Sequence, residues 1–258
     1  MSKKMEEILG DVGLLAACLL FASPLPTMRR IYLKGTVEQF SPDPYIFSFC
    51  NCSLWVLWAI VTPDRAAPLQ TNSIGTVIYI FYLVIYSTGK PGKTFFKKLG
   101  MSAVMLAGVC GIAFGIAPRI DRIREGRTAL EVASIILGFA ADTFNILMYA
   151  GPLTIITTVL RSRSVEYMPL PLTLGTILCS SSWLGYGLVV EDVAIITPNA
   201  GGTVLGIMQI ALYMCYVNTE ESKLARSKVE ELNMSFEQYR KSLQAGVVED
   251  EKDRVPLI

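Results

Sequence analysis

Seven stretches of this chain run uncharged, or nearly so, for long enough to cross a membrane: Val12–Met28, Pro44–Pro63, Ala66–Gly89, Leu99–Pro118, Val132–Leu160, Tyr167–Val190 and Val193–Thr219. Asp142, in the fifth, is the single charge among them. About 20 residues of helix span the roughly 30 Å of a bilayer's hydrocarbon, so each stretch is a membrane helix in length or close to it. The runs are continuous, whereas the strands of a membrane barrel alternate between apolar and polar residues. The fold class is therefore all-α and membrane-embedded. With 52% of residues hydrophobic, 17% charged and a mean hydropathy of +0.46, the chain lacks the charge to coat a soluble domain.

The stretches are not independent. Asn72-Ser-Ile-Gly75-Thr76-Val77 recurs as Asn199-Ala-Gly-Gly202-Thr203-Val204, an offset of 199 − 72 = 127 that also relates Gly75 to Gly202 and Thr76 to Thr203. Pro24-Leu25 matches Pro152-Leu153, Val37-Glu38 matches Val165-Glu166, and Trp55 matches Trp183, all at 128. Two three-helix repeats follow, residues 8–89 and 129–219, with a linker helix at 97–120 and a charged tail at 220–258. An odd linker makes the repeats run parallel, which places a substrate site between them near the midplane. Each copy of the motif plants an uncharged carboxamide, donor and acceptor at once, at membrane depth.

Composition excludes several function classes. Histidine is absent, which removes imidazole bases, His-ligated metals and His proton relays, and no enzyme chemistry or cofactor is expected. All six cysteines lie in apolar stretches, where a thiol packs as a small hydrophobe. A net charge of +1 offers nothing to nucleic acid. The first stretch reads as a retained helix and not a cleaved signal, since Asp11 and Gly13 interrupt its start.

Basic residues set the orientation. Arg29, Arg30, Lys34, Lys90, Lys93, Lys97, Lys98, Arg161 and Arg163 fall in the loops of one side, nine in all. Lys3, Lys4, Arg65, Arg119, Arg122, Arg124 and Arg127, seven in all, fall on the other. The richer side is taken as cytoplasmic, with the amino terminus outside and the carboxy terminus inside. The tail ends Asp253-Arg-Val-Pro-Leu257-Ile258, the pattern of an acidic dileucine signal read by sorting adaptors. Asn51 and Asn233 match the glycan acceptor pattern but fall in a span and in the inner tail, so neither is expected to be modified.

From Val12 to Tyr216 the chain resembles the SWEET sugar transporters, the MtN3/saliva family. The resemblance is carried by Ser23-Pro24 before a basic segment, Thr36-Val37-Glu38, Arg161-Ser-Arg163-Ser-Val-Glu-Tyr-Met-Pro169, and Pro198-Asn199 with Gln209. It implies that Asn72 and Asn199 bind sugar hydroxyls while Trp55 and Trp183 offer flat faces to the C–H surface of the ring. Asn51, Cys179, Asn145, Ala17, Leu20 and Met148 fall at further pocket positions, Asn51 and Cys179 where the family usually has serine. Neutral, weak contacts suit a cargo that must be released. Bulky Leu20 and Met148 narrow the site toward a monosaccharide. The resemblance also implies hinge prolines at Pro24, Pro44, Pro152 and Pro169, although Pro42 and Pro171 compete with Pro44 and Pro169 at an offset of 127.

The expectation is a uniporter for a hexose or other small saccharide, working by alternating access in the plasma membrane or an endomembrane, and a candidate homo-oligomer. Asp142 supports an alternative, a proton-coupled transporter, because an ionisable group inside a span by default suggests function. Its position ten residues before Pro152 places it toward the outer end of its helix, where water can reach it. A seven-helix receptor is the alternative from another class, and it predicts no internal repeat.

Overall fold

The computed structural model describes residues 3–121, 128–224, 227–231 and 234–237, with no strand among them. Seven helical stretches are long and apolar enough to cross a membrane. The first is α1 (Lys3–Ala22) continued by α2 (Leu25–Lys34), and the second and third are α3 (Asp43–Val61) and α4 (Ala66–Thr88). The linker is α5 (Lys93–Asp121). The second repeat is α6 (Ala129–Met148) continued by α7 (Ala150–Ser162), then α8 (Leu170–Val189) and α9 (Val193–Tyr216). Large apolar side chains such as Leu19, Val77 and Phe139 point outward, as they do where lipid replaces water.

Boundaries shift where capping overrides hydropathy. Pro24 does not end the first span: its backbone stays near helical at φ −78°, ψ −7°, and Met28 N–H bonds its carbonyl at 3.0 Å. Proline at the start of a helical segment has no intrahelical N–H to lose. Arg29, Arg30 and Lys34, expected in a loop, therefore lie on α2, and Arg161 likewise lies on α7. In the second repeat the break falls at Tyr149, and Pro152 is the third residue of α7. α6 starts before its apolar run because Thr128 and Glu131 form a reciprocal capping box. The loop basic residues Arg122, Arg124 and Arg127, the glycan motif at Asn233 and the dileucine pair Leu257 and Ile258 lie outside the described residues.

Packing repeats with the sequence. α1 lies against α8 and α4, α3 against α4, α6 and α5, and α5 against α6. A Cβ added at Gly10 would meet Ala67 Cβ at 2.9 Å and Tyr186 at 3.7 Å, and one at Gly138 would meet Ala194 Cβ and Trp58 at 3.4 Å. All three pairs, 10/138, 67/194 and 58/186, keep the offset of 127 or 128. Small residues let the first helix of each repeat approach the other repeat closely. α3 is the most enclosed span and α5 the least, so the linker is peripheral.

By contacts the chain groups into two compact units, Met1–Leu153 with Leu170–Gln209, and Thr154–Pro169 with Ile210–Ile258. The first holds the main core around Leu54, Trp58, Tyr82, Leu137 and Tyr186. The second holds a small cluster of Val159, Val165 and Met168 against Tyr213, Tyr216 and Val217. In the first, the turn after α2 is held by Arg30 and Lys34, whose nitrogens lie 2.7 and 2.6 Å from the carboxylate of Glu38. Hydrogen bonds from Lys34, then Arg30, hold the Glu38 carboxyl below its ordinary range. A lowered carboxyl is ionised and paired at neutral pH, and the contribution is lost as pH falls through that lowered value.

Candidate functional site

The repeated Asn-x-x-Gly motif has a packing reason. A Cβ on Gly75 would meet Cys52 Sγ at 2.7 Å and Phe21 Cζ at 2.8 Å, and one on Gly202 would meet Ser180 Cβ at 3.2 Å and Tyr149 Oη at 3.7 Å. Cys52 and Ser180, like Phe21 and Tyr149, are 128 apart. Each glycine thus admits the same two neighbours, and that approach keeps the asparagine three residues earlier beside the space left between the repeats.

That space is a cavity of about 370 Å³, lying wholly within the first compact unit. Its volume falls at the small end of the roughly 300–1,000 Å³ of ligand pockets. Asn72 and Asn199 both line it. Each carboxamide donates to its own helix, Asn72 to Pro68 O at 2.9 Å and Asn199 to Ile195 O at 2.7 Å, while Thr76 and Thr203 donate to the asparagine carbonyls at 2.8 Å. Neither asparagine spends itself joining two helices, so one N–H and the Oδ1 of each remain for a ligand.

Asn51 does join helices. Its Nδ2 donates to Ala141 O at 3.1 Å and to Asn145 Oδ1 at 3.0 Å, which ties α3 to α6 and leaves Asn51 its Oδ1 as an acceptor. Trp55 and Trp183 are buried and braced by edge-on neighbours, Trp58 at 5.0 Å and Tyr186 at 5.4 Å between ring centres. Gly13 admits the Trp183 ring, since a Cβ there would lie 2.9 Å from it. No charged side chain occurs among the described lining residues. The chemistry on offer is neutral hydrogen bonding beside two rigid aromatic rings.

All ten residues expected at the pocket line this one cavity: Asn72, Asn199, Trp55, Trp183, Asn51, Cys179, Asn145, Ala17, Leu20 and Met148. Phe21, Cys52, Thr71, Tyr149 and Ser180 line it too and were not singled out from sequence, and so does Pro198 of the Pro198-Asn199 motif. The offset relates all six in pairs, Phe21 with Tyr149 and Cys52 with Ser180 at 128, and Thr71 with Pro198 at 127. Tyr149 donates its hydroxyl to Pro198 O, a bond its first-repeat counterpart Phe21 cannot make. The Thr71 hydroxyl is buried with no partner in the protein.

The prolines divide by position. Pro24 sits at the bend between α1 and α2, and Pro152 in the first turn of α7, beside the cavity. Pro42 and Pro169 each precede the first residue of their helices, while Pro44 and Pro171 each occupy the second position. By place in the fold, Pro42 matches Pro169 and Pro44 matches Pro171, at the spacing of 127. Pro44 lies in a helix's first turn, where proline breaks no bond.

Asp142 is not at a helix end. It is the fourteenth of the 20 residues of α6, and its Oδ1 is buried with no partner in the protein. The expected access to water fails for that oxygen. Asn145, three residues on, lines the cavity while Asp142 does not.

Residues 7–94 and 135–221 match the family described as "Sugar efflux transporter for intercellular exchange", MtN3/saliva. The two matched segments coincide with the two repeats. The chain belongs to the SWEET family. It is 36% identical over 213 residues to the bidirectional sugar transporter SWEET2 of Arabidopsis thaliana, covering 82% of this chain and 86% of that one. Over 226 residues it is 34% identical to SWEET7b of Oryza sativa subsp. indica, covering 85% of this chain and 80% of the relative. A solved structure of a eukaryotic SWEET transporter matches with a TM-score of 0.71 and 32% identity, over 83% of this chain and 98% of that one. This SWEET chain is accordingly an integral, multi-pass membrane protein with the 3+1+3 arrangement of helices.

Proposed function

We propose that the chain is a sugar uniporter that carries a hexose-sized cargo down its gradient by alternating access. The observation that carries the reading is the matched pair Asn72 and Asn199, each bonded to its own helix, in one cavity that Trp55 and Trp183 also line and whose described lining is uncharged. Hydroxyls of a sugar need both donors and acceptors, and its C–H face needs a flat apolar surface. Weak neutral bonds to both repeats let the cargo leave as easily as it enters. A panel of labelled sugars offered to transport-deficient cells tests this directly: uptake of at least one hexose is expected, and none for any sugar would overturn it.

Alternating access finds support at one end of the cavity. Arg65 and Asp192 each precede the last helix of their repeat, and the two positions differ by 127. Arg65 Nη2 lies 2.9 Å from Asp192 Oδ2, and both side chains are mostly enclosed, at 14% and 16% exposure. Three residues further along each helix, Pro68 and Ile195 line the cavity. An ion pair one turn beyond the cavity wall closes that end while it is formed. With the amino terminus outside, this is the outer end, and the pair must part for a cargo to exit there. The tail then lies in the cytoplasm, and the plasma membrane is the proposed site.

Cargo size follows from the side chains at the matched positions four residues before Pro24 and Pro152. Leu20 and Met148 both reach the cavity. Replacing both by Val is expected to raise sucrose uptake relative to glucose by about tenfold, the low end of what one methylene in an apolar pocket is worth. Unchanged selectivity in labelled-sugar competition would show that these residues do not set the limit.

A second reading is favoured by one observation, the partnerless buried oxygen of Asp142. A carboxyl so placed is costly to keep charged in a membrane protein's interior and could carry a proton beside the Asn145–Asn51 bridge. Under that reading the cycle is coupled to protons.

A further inference from the structure

The loop between α7 and α8 is built differently from its counterpart in the first repeat. Gly35 closes α2 in the left-handed conformation, φ +64°, which glycine adopts freely. The matching position at 128 is Arg163, held at φ +53°, where a Cβ makes the conformation costly. The first loop also has its ion pairs from Arg30 and Lys34 to Glu38. The matching residues are Thr158, Ser162 and Glu166, so the second loop has no such lock. In the first loop, moreover, Val37 N–H is satisfied by Gly89 C=O at 2.9 Å, wholly within the repeat.

The second loop borrows its partners from the residues after the last span. Thr219 Oγ1 lies 2.8 Å from Arg163 O, the carbonyl of the strained residue itself, and accepts from Ser222 N–H at 3.3 Å. Ser222, only 1% exposed, accepts from Val165 N–H at 3.1 Å and donates to Tyr216 O at 2.7 Å. The apolar cluster of Val159, Val165 and Met168 packs on Tyr213, Tyr216 and Val217 around this point. The buried Ser222 hydroxyl, with every bond made, is costly to remove, while the Thr219 hydroxyl is half-buried.

We propose that Thr219 and Ser222 are positioning residues of the transport cycle, whose hydroxyls hold the α7–α8 loop in the left-handed turn that Gly35 adopts unaided in the first repeat. The loop leads into α8, which carries Cys179 and Trp183. A loop that loses its turn misplaces the start of that helix and slows the cycle without altering the groups that touch cargo.

The test exploits the glycine that the first repeat already uses. Thr219→Val with Ser222→Ala is expected to lower the maximal rate of hexose transport on the order of fivefold, the weight of an ordinary hydrogen bond, with the half-saturating concentration unchanged within about twofold. Adding Arg163→Gly restores the rate, because glycine needs no help in this turn. Adding Arg163→Ala does not. If the double variant accumulates poorly in the membrane, recovery of its abundance by Arg163→Gly and not by Arg163→Ala is the same result read on folding. Equal behaviour of the two substitutions, or an unslowed double variant, overturns the proposal. The inference rests on the transport reading: a wild-type chain that carries no sugar overturns both, whereas wild-type transport with an unslowed double variant overturns the latch alone.

Discussion

Replacing Asn72 or Asn199 by Ala is expected to raise the half-saturating sugar concentration about tenfold each, and the double replacement to bring uptake to background. Each substitution leaves a sugar hydroxyl without its partner in a place that excludes water, which costs about 1 to 3 kcal/mol per group. The bonds these asparagines make within the protein run to carbonyls of their own helices at 2.9 and 2.7 Å, so no tie between helices is cut. Membrane abundance should therefore stay near wild type. Uptake measured against surface-labelled protein separates the outcomes: normal kinetics in both single variants would remove the carboxamides from the cargo site. A drop in abundance matching the drop in uptake would instead make them structural.

Reversing one charge of the Arg65–Asp192 pair is expected to have the next largest effect. Asp192→Arg sets two guanidinium groups against each other where each side chain is about one-seventh exposed, at 14% and 16%. Opposing an enclosed charge in this way costs about 2 kcal/mol or more, or roughly thirtyfold in an equilibrium between closed and open ends. The closed state should be lost and the maximal rate should fall by a comparable factor. The swapped chain, Arg65→Asp with Asp192→Arg, restores the pair in mirror order and should recover most of the rate. The swap also removes the bond that Asp192 Oδ1 accepts from Ala194 N–H at 3.1 Å and the Arg65 guanidinium from over the Trp58 ring, so recovery stops short of the wild-type rate. Failure of the swap to recover more than either single change would show that closure of this end does not depend on the pair.

Much of this architecture was legible before any coordinates. The seven apolar stretches and the offset of 127 to 128 led to the helices, their parallel repeats and ten residues around one cavity. The signal was strong because a carboxamide or an indole at membrane depth stands out against aliphatic neighbours. Phe21 and Cys52 were missed for the converse reason, since apolar lining residues look like any others in an apolar run. Arg65 and Asp192 keep the same offset yet bear opposite charges, so a search for identical residues passes over them. A span end was misjudged where backbone chemistry outweighs hydropathy, at Pro24, where the helix continues into a basic segment, whereas the second repeat begins at 129 as expected, just after the Thr128 cap. The role of Thr219 and Ser222 could not be read from sequence, because it answers a backbone conformation at Arg163 that only the fold reveals.

The central claim is a neutral cavity that carries sugar without a second ion, and flux into proteoliposomes tests it most directly. Purified protein is reconstituted and labelled glucose added outside, with and without an imposed pH gradient, for the wild type and for Asp142→Asn. Uniport predicts that internal glucose rises to the external concentration and stops there, equally with and without the gradient, and that Asp142→Asn does the same. Accumulation above the external concentration that follows the proton gradient and disappears in Asp142→Asn would contradict it.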